Sequence, residues 1–171
     1  PGEEIKIVGE DGKDLTPGEE GEIAVRGPGV SAGYYRRKEE TDAVFKPSGW
    51  QYTGDYARKT EDNYIRIVGR KKDIIIRGGF NISPSEIEDL LFSFPKLKNA
   101  SVVGMPDERL GEKSCVYVIP KEGENVTLEE IVSYLKTQRL ATQKLPERLE
   151  IVDEFPMTAS GKVQKYILRK D

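Results

Sequence analysis

The stretch from Gly69 to Glu88, GRKKDIIIRGGFNISPSEIE, most constrains how this chain can fold. It opens with a glycine and basic residues, runs into the β-branched Ile74-Ile75-Ile76, and then reaches a glycine pair, Gly78-Gly79. β-Branched side chains favour extended backbone, and a glycine pair permits the positive φ of a sharp reversal. Ser83-Pro84-Ser85-Glu86 then reads as a helix start. Ser83 can cap, Pro84 suits the first turn, and Glu86 completes a capping box. Strand, turn and helix are thus expected within a few residues of each other.

Downstream, strand and helix patterns alternate. Ile87, Leu90, Leu91 and Phe94 fall on one face of a helix that Pro95 ends. Asn99 to Met105 and Lys113 to Pro120 read as strands. Thr127-Leu128-Glu129-Glu130 is a second capping box, and Leu128, Ile131, Val132 and Leu135 line one helical face. A strand from Arg148 to Val152 follows, then Phe155-Pro156, a polar loop to Gly161, Lys162 and a short terminal helix. Two helices with single apolar stripes should cover one face of a three-stranded sheet.

Upstream of Gly69 the chain is β-rich. Ile5 to Val8 and Gly21 to Arg26 read as strands between Gly-, Asp- and Pro-rich turns, and Lys38 to Phe45 as a short helix. Asp62-Asn63 should turn a hairpin between Tyr52–Lys59 and Tyr64–Val68. The expected class is α+β: a β-rich subdomain over residues 1–69, then a small α/β domain with a three-stranded sheet and helices over 70–171.

Composition narrows the chemistry. Charged residues are 33%, apolar residues 36%, and the formal net charge is −3, so no general field favours nucleic acid. No apolar run reaches the ~20 residues of a membrane-spanning helix. The chain has no histidine, which removes a His-based triad, a His-ligated zinc site and the commonest general base. A single cysteine, Cys115, suits a reducing, cytoplasmic compartment and, in an alternating strand, a buried structural role. The chain starts at Pro1, not Met, and enters strand-like sequence almost at once. It is expected to be a fragment of a longer protein, with no signal peptide.

The candidate residues each admit two readings. Asp55, after Thr53-Gly54, can accept hydrogen bonds from a vicinal diol such as a ribose, or can form an Asx-turn. Arg70, Lys71 and Lys72 form a solvated charge run, or Arg70 offers a planar donor fork to a ribose or phosphate. Gly78 and Gly79 make a plain turn, or admit a ligand close to the backbone. Lys162, in Thr158-Ala159-Ser160-Gly161-Lys162, is a surface lysine or a point charge for a phosphate. The loop is not a Walker motif, because Pro156 replaces its first glycine and Val163 follows the lysine.

Taken in order, these blocks resemble AMP-forming acyl-CoA synthetases, in the adenylate-forming ligase family. The resemblance rests on Tyr52-Thr53-Gly54-Asp55, on Gly69-Arg70-Lys71-Lys72-Asp73 through Gly78-Gly79 to Glu86-Ile87-Glu88, on Lys144-Leu145-Pro146, and on Pro156 to Lys162. It covers essentially the whole chain and corresponds to that family's carboxy-terminal part. IIIRGGFNISPSEIE and PDERLGEKSCVYV look nearest to short- and medium-chain fatty acyl-CoA synthetases, with dihydroxybenzoate-type ligases close behind.

The resemblance implies two half-reactions. A carboxylate attacks the α-phosphate of ATP to give acyl-AMP and pyrophosphate, and CoA thiol then displaces AMP. It implies that Asp55 and Arg70 hold the ATP ribose, that Lys162 is catalytic in adenylation, and that Lys72 is a hinge for domain rotation. Gly78, Gly79 and Phe80 would line the pantetheine tunnel. Asn81 stands where some relatives carry Arg or Gln. Ile76 replaces a lysine that luciferases use in their second step. The phosphate loop, the magnesium-binding acid and the carboxylate pocket would lie upstream, so this fragment alone is expected to be inactive. The alternatives are an aryl-acid AMP ligase that loads a carrier protein, and a non-catalytic interaction module.

Overall fold

The computed structural model describes residues 2–169. The chain divides into two compact units between Lys72 and Asp73.

The first unit is a four-stranded antiparallel sheet in sequential order: β1 (Glu4–Val8), β2 (Glu20–Arg26), β3 (Gln51–Lys59) and β4 (Ile65–Arg70). One helix, α1 (Lys38–Val44), lies in the long β2–β3 connection and buries none of its own residues. The strands form where β-branched and aromatic residues alternate with polar ones, so one face packs Ile7, Ile23 and Ala57 with Leu15 and Val25. The β3–β4 hairpin turns through Asn63, which adopts a φ of +63°, a left-handed conformation that asparagine tolerates.

The second unit begins with a hairpin, β5 (Ile75–Arg77) and β6 (Phe80–Ile82), followed by α2 (Pro84–Leu91), β7 (Leu97–Asp107), β8 (Gly111–Pro120), α3 (Leu128–Thr137), β9 (Arg148–Ile151) and α4 (Lys165–Leu168). The mixed α+β class is as expected, but the sheet has five strands rather than three. The expected three, β7, β8 and β9, are joined by the β5–β6 hairpin, whose Arg77 pairs with Gly111 of β8. β9 runs parallel to β8, which requires the crossover through α3.

The apolar stripes of α2 and α3 pack on one sheet face. Ile87, Leu91, Ile131 and Leu135 meet Val102, Val116 and Val118, all essentially solvent-free. Each such side chain contributes roughly 1.5–3 kcal/mol by burial. The other face is not open: Phe155 and Leu168, from the carboxy-terminal segment, cover Val103, Cys115 and Tyr117. The Tyr117 hydroxyl donates to Leu168 O at 2.8 Å. Burial pushes the Cys115 thiol up to about 11, in keeping with a structural thiol.

The two expected capping boxes fare differently. Thr127 accepts from Glu130 N at 3.2 Å, and Glu130 accepts from Thr127 N at 3.0 Å, a complete box. At α2 the box does not form: Ser83 makes no side-chain cap, its hydroxyl lies 3.0 Å from that of Ser85, and Glu86 accepts instead from Lys144 at 2.6 Å. Removing the working cap with Thr127→Ala should destabilise the protein by about 1 kcal/mol, read as a lower midpoint in a urea melt.

Candidate functional site

Antiparallel register builds the site of the first unit. β3 and β4 place Asp55 directly opposite Arg70. Arg70 Nε lies 2.9 Å from Asp55 Oδ1, and the two side chains remain 57% and 32% exposed. An ion pair this exposed adds only about 0–1 kcal/mol to stability, so its effect is on direction more than on folding. It presents a carboxylate and a guanidinium side by side, each with hydrogen-bonding capacity to spare. Asp55 sits within β3, not in an Asx-turn at a strand end.

The backbone around Asp55 is held from beneath. Thr53 Oγ1 donates to Ile23 O at 3.1 Å and accepts from Asp55 N at 3.1 Å. Gly54, at a φ of +75°, donates its N–H to Glu22 Oε1 at 3.0 Å. Glu22 is buried, and its second oxygen pairs with Lys71 Nζ at 2.7 Å. That hydrogen bond raises the Lys71 pKa above the ordinary lysine value. The basic run is therefore not a uniformly solvated face: Arg70 belongs to Asp55 and Lys71 to Glu22. Lys72 is exposed, in the short 3-10 turn Lys71–Asp73, and is the last residue of the first unit.

In the second unit the candidates occupy two separate elements. Gly78 and Gly79, with φ of +55° and +84°, form the two-residue loop of the β5–β6 hairpin, a geometry that glycine adopts without steric cost. Gly78 N donates to Leu110 O at 2.7 Å. A Cβ on Gly78 would lie 3.3 Å from Leu110 Cδ2, whereas one on Gly79 would meet open space. Phe80 follows, opposite Arg77 in the register and 55% exposed.

Lys162 ends a tight turn. Thr158 N donates to Lys162 O at 2.8 Å, Gly161 N to Thr158 O at 2.9 Å, and Lys162 N to Thr158 Oγ1 at 3.0 Å. A bridge between Met157 and Val163 closes the base, so the exposed Lys162 projects from a loop with little slack.

Residues 86–162 match the family described as the AMP-binding enzyme C-terminal domain. Over 171 aligned residues the chain is 50% identical to the medium-chain fatty-acid–CoA ligase of Escherichia coli K12, covering 99% of this chain and 30% of the relative. The chain matches the carboxy-terminal part of adenylate-forming ligases. It is also 41% identical to the 2,3-dihydroxybenzoate-AMP ligase of Bacillus subtilis 168, over 99% of this chain and 31% of that enzyme. ATP-bound MatB from Rhodopseudomonas palustris superposes with a TM-score of 0.89 at 36% identity, covering 99% of this chain and 34% of that structure. The chain thus spans about a third of the length of the relatives that it matches.

Among the pairings that escaped sequence reasoning are Glu22 with Lys71, Arg77 with Glu147, and Glu88 with Lys165. Their partners are far apart in sequence, and no local spacing signals them. Glu22 is the most consequential in the first unit, since Glu22→Ala would strip the Gly54 N–H and the Lys71 ammonium of their shared acceptor. A loss of about 1–3 kcal/mol in a denaturant melt is expected, and Lys71→Ala should be costly too, because it leaves the buried Glu22 carboxylate without its cation.

Proposed function

We propose that this chain is the carboxy-terminal part of an acyl-CoA synthetase that activates a carboxylic acid, most consistently a medium-chain fatty acid, with ATP and passes the acyl group to CoA. The observation that carries the reading is the pairing of Asp55 with Arg70, in register on adjacent strands and still open to solvent. A carboxylate can accept both hydroxyls of a vicinal diol, and the adjacent guanidinium can donate to the same sugar or its phosphate. The fatty-acid assignment is supported by the 50% identity to a medium-chain fatty-acid–CoA ligase.

Each element of this chain then has a task. Asp55 and Arg70 bind the ribose. Lys162 brings a positive charge to the reacting carboxylate and α-phosphate, where negative charge accumulates as the acyl–phosphate bond forms and pyrophosphate departs. Gly78, Gly79 and Phe80 serve the second half-reaction: a hairpin tip free of Cβ atoms lets the pantetheine arm pass close to the backbone, and the bare phenylalanine ring gives it an apolar wall. Lys72, at the division between the units, acts as the hinge by which the second unit exchanges the Lys162 turn for the hairpin. Magnesium would accompany the ATP phosphates and neutralise their charge when bound. Among the described residues no group of metal-ligating side chains gathers to hold it.

A second reading has its own support. The 41% identity to a dihydroxybenzoate-AMP ligase fits an aryl acid as substrate, with the pantetheine arm of a carrier protein replacing CoA at the same hairpin.

Two measurements test the proposal. In the full-length ligase, Lys162→Ala should slow acyl-AMP formation by about 100- to 1000-fold while thioester formation from supplied acyl-AMP persists. The 171-residue chain alone should form no acyl-AMP from ATP and octanoate. Equal loss of both half-reactions in the variant, or turnover by the isolated chain, would contradict the assignment.

A further inference from the structure

Two ion pairs in the second unit are tied to its two candidate elements, one pair to each. The first lies on the open edge of β7, which pairs only with β8. Val102 N of that edge donates to Glu88 Oε1 at 2.6 Å, and Lys165 Nζ lies 2.7 Å from the same oxygen. Glu88 belongs to α2, which packs on one face of the sheet, while Lys165 opens α4, whose Leu168 packs on the other. One carboxylate oxygen therefore joins two layers around a strand edge. Both side chains are largely covered, at 18% and 22% exposure. Lys165 follows Lys162 by one short connection, and Gln164 closes the intervening turn through its N–H to Pro156 O at 2.8 Å and its side-chain amide to Met157 O at 3.2 Å. Few soft torsions separate the anchored Lys165 from the exposed Lys162.

The second pair is Arg77 with Glu147. Arg77 Nε and Nη2 donate to the two carboxylate oxygens at 3.1 and 2.8 Å, a bidentate fork that fixes orientation as well as distance. Arg77 immediately precedes the Gly78–Gly79 loop. Glu147 is itself tethered to the central strand through its N–H to Ser114 O at 2.9 Å. The two pairs share no residue.

We propose that these are positioning residues with divided duties: Glu88 and Lys165 aim Lys162 for adenylation, and Arg77 and Glu147 aim the Gly78–Gly79 hairpin for thioester formation. The proposal rests on the functional reading above. Glu88 keeps the Val102 N–H when Lys165 is removed, and Arg77 and Glu147 each reach solvent in part, so removal should act mainly on alignment, and a displacement of about 1 Å in a reacting group costs up to about 100-fold in rate.

The test measures both half-reactions separately in the full-length ligase: pyrophosphate release from ATP with octanoate, and thioester formation from supplied octanoyl-AMP and CoA. Lys165→Ala should lower kcat of the first by roughly 10- to 100-fold at unchanged KM for ATP, and leave the second within about twofold. Lys165→Arg should restore it, and Lys165→Gln, neutral and similar in shape, is read in place of Lys165→Ala should that variant not fold. Arg77→Ala should show the opposite pattern, and the double exchange Arg77→Glu with Glu147→Arg should recover rate relative to either single change. A variant that melts normally but slows both half-reactions by the same factor would overturn the division of duties. So would an unchanged rate in the half-reaction assigned to it. Lys162→Ala is measured alongside. Retained adenylation there would overturn the functional reading and the proposal together, whereas its loss beside an unaffected Lys165→Ala would overturn the proposal alone.

Discussion

Strand β8 is hydrogen-bonded along both edges: to β7 over its whole length, and on the other side to β5 at Gly111 and to β9 from Cys115 to Val118. Its alternate residues must also satisfy two different faces. Val116 and Val118 meet the helices, while Cys115 and Tyr117 meet the carboxy-terminal segment. A strand buried on both faces cannot carry the polar alternation of a surface strand, which is why CVYV is apolar throughout. Both candidate elements of the second unit depend on it. The glycine hairpin attaches at its Gly111 end, and the Lys162 turn follows Phe155, which packs against Cys115.

Energies and directions play different parts in this chain. Burial of Ile87, Leu91, Ile131 and Leu135 holds the second unit together, with several kcal/mol in hand. Exposed ion pairs such as Asp55 with Arg70 cannot compete with that, because solvent screens them. Their information is geometric: Asp55 faces Arg70 because antiparallel register places them so, and Arg77 is held to Glu147 by a fork with one good orientation. Substitution of a core residue should therefore lower stability, and substitution of an exposed paired charge such as Arg70 should alter alignment at nearly constant stability, the buried Glu22 being the exception.

Much of the fold was legible in the sequence because its signals are local. Helical periodicity in Ile87 to Phe94 and Leu128 to Leu135, and the capping box at Thr127, each lie within a few turns of chain. The α2 start misled because a capping box is only an option for Ser83 and Glu86. Lys144, distant in sequence, takes the Glu86 carboxylate. The three-residue strand Phe80–Ile82 was too short to show a period, and the covering of the second face escaped because Phe155 and Leu168 are isolated apolar residues in polar surroundings. The candidate residues Asp55, Arg70, Gly78, Gly79 and Lys162 stood out through motif order. Their supports, Glu22, Glu147 and Glu88, are common acids whose significance comes only from long-range contact.

In the proposed function the Gly78–Gly79 hairpin of this chain serves thioester formation while adenylation depends on a different element. Gly79 is a direct probe: a side chain there would enter open space and not the unit's own core, while its φ of +84° strains any side chain, so the variant's melt is read beside its activity. The measurement is the fate of acyl-AMP in the full-length ligase carrying Gly79→Leu, supplied with ATP, octanoate and CoA. The expected result is that acyl-AMP forms, accumulates and is not converted to acyl-CoA. Acyl-CoA production at the parent rate would contradict it.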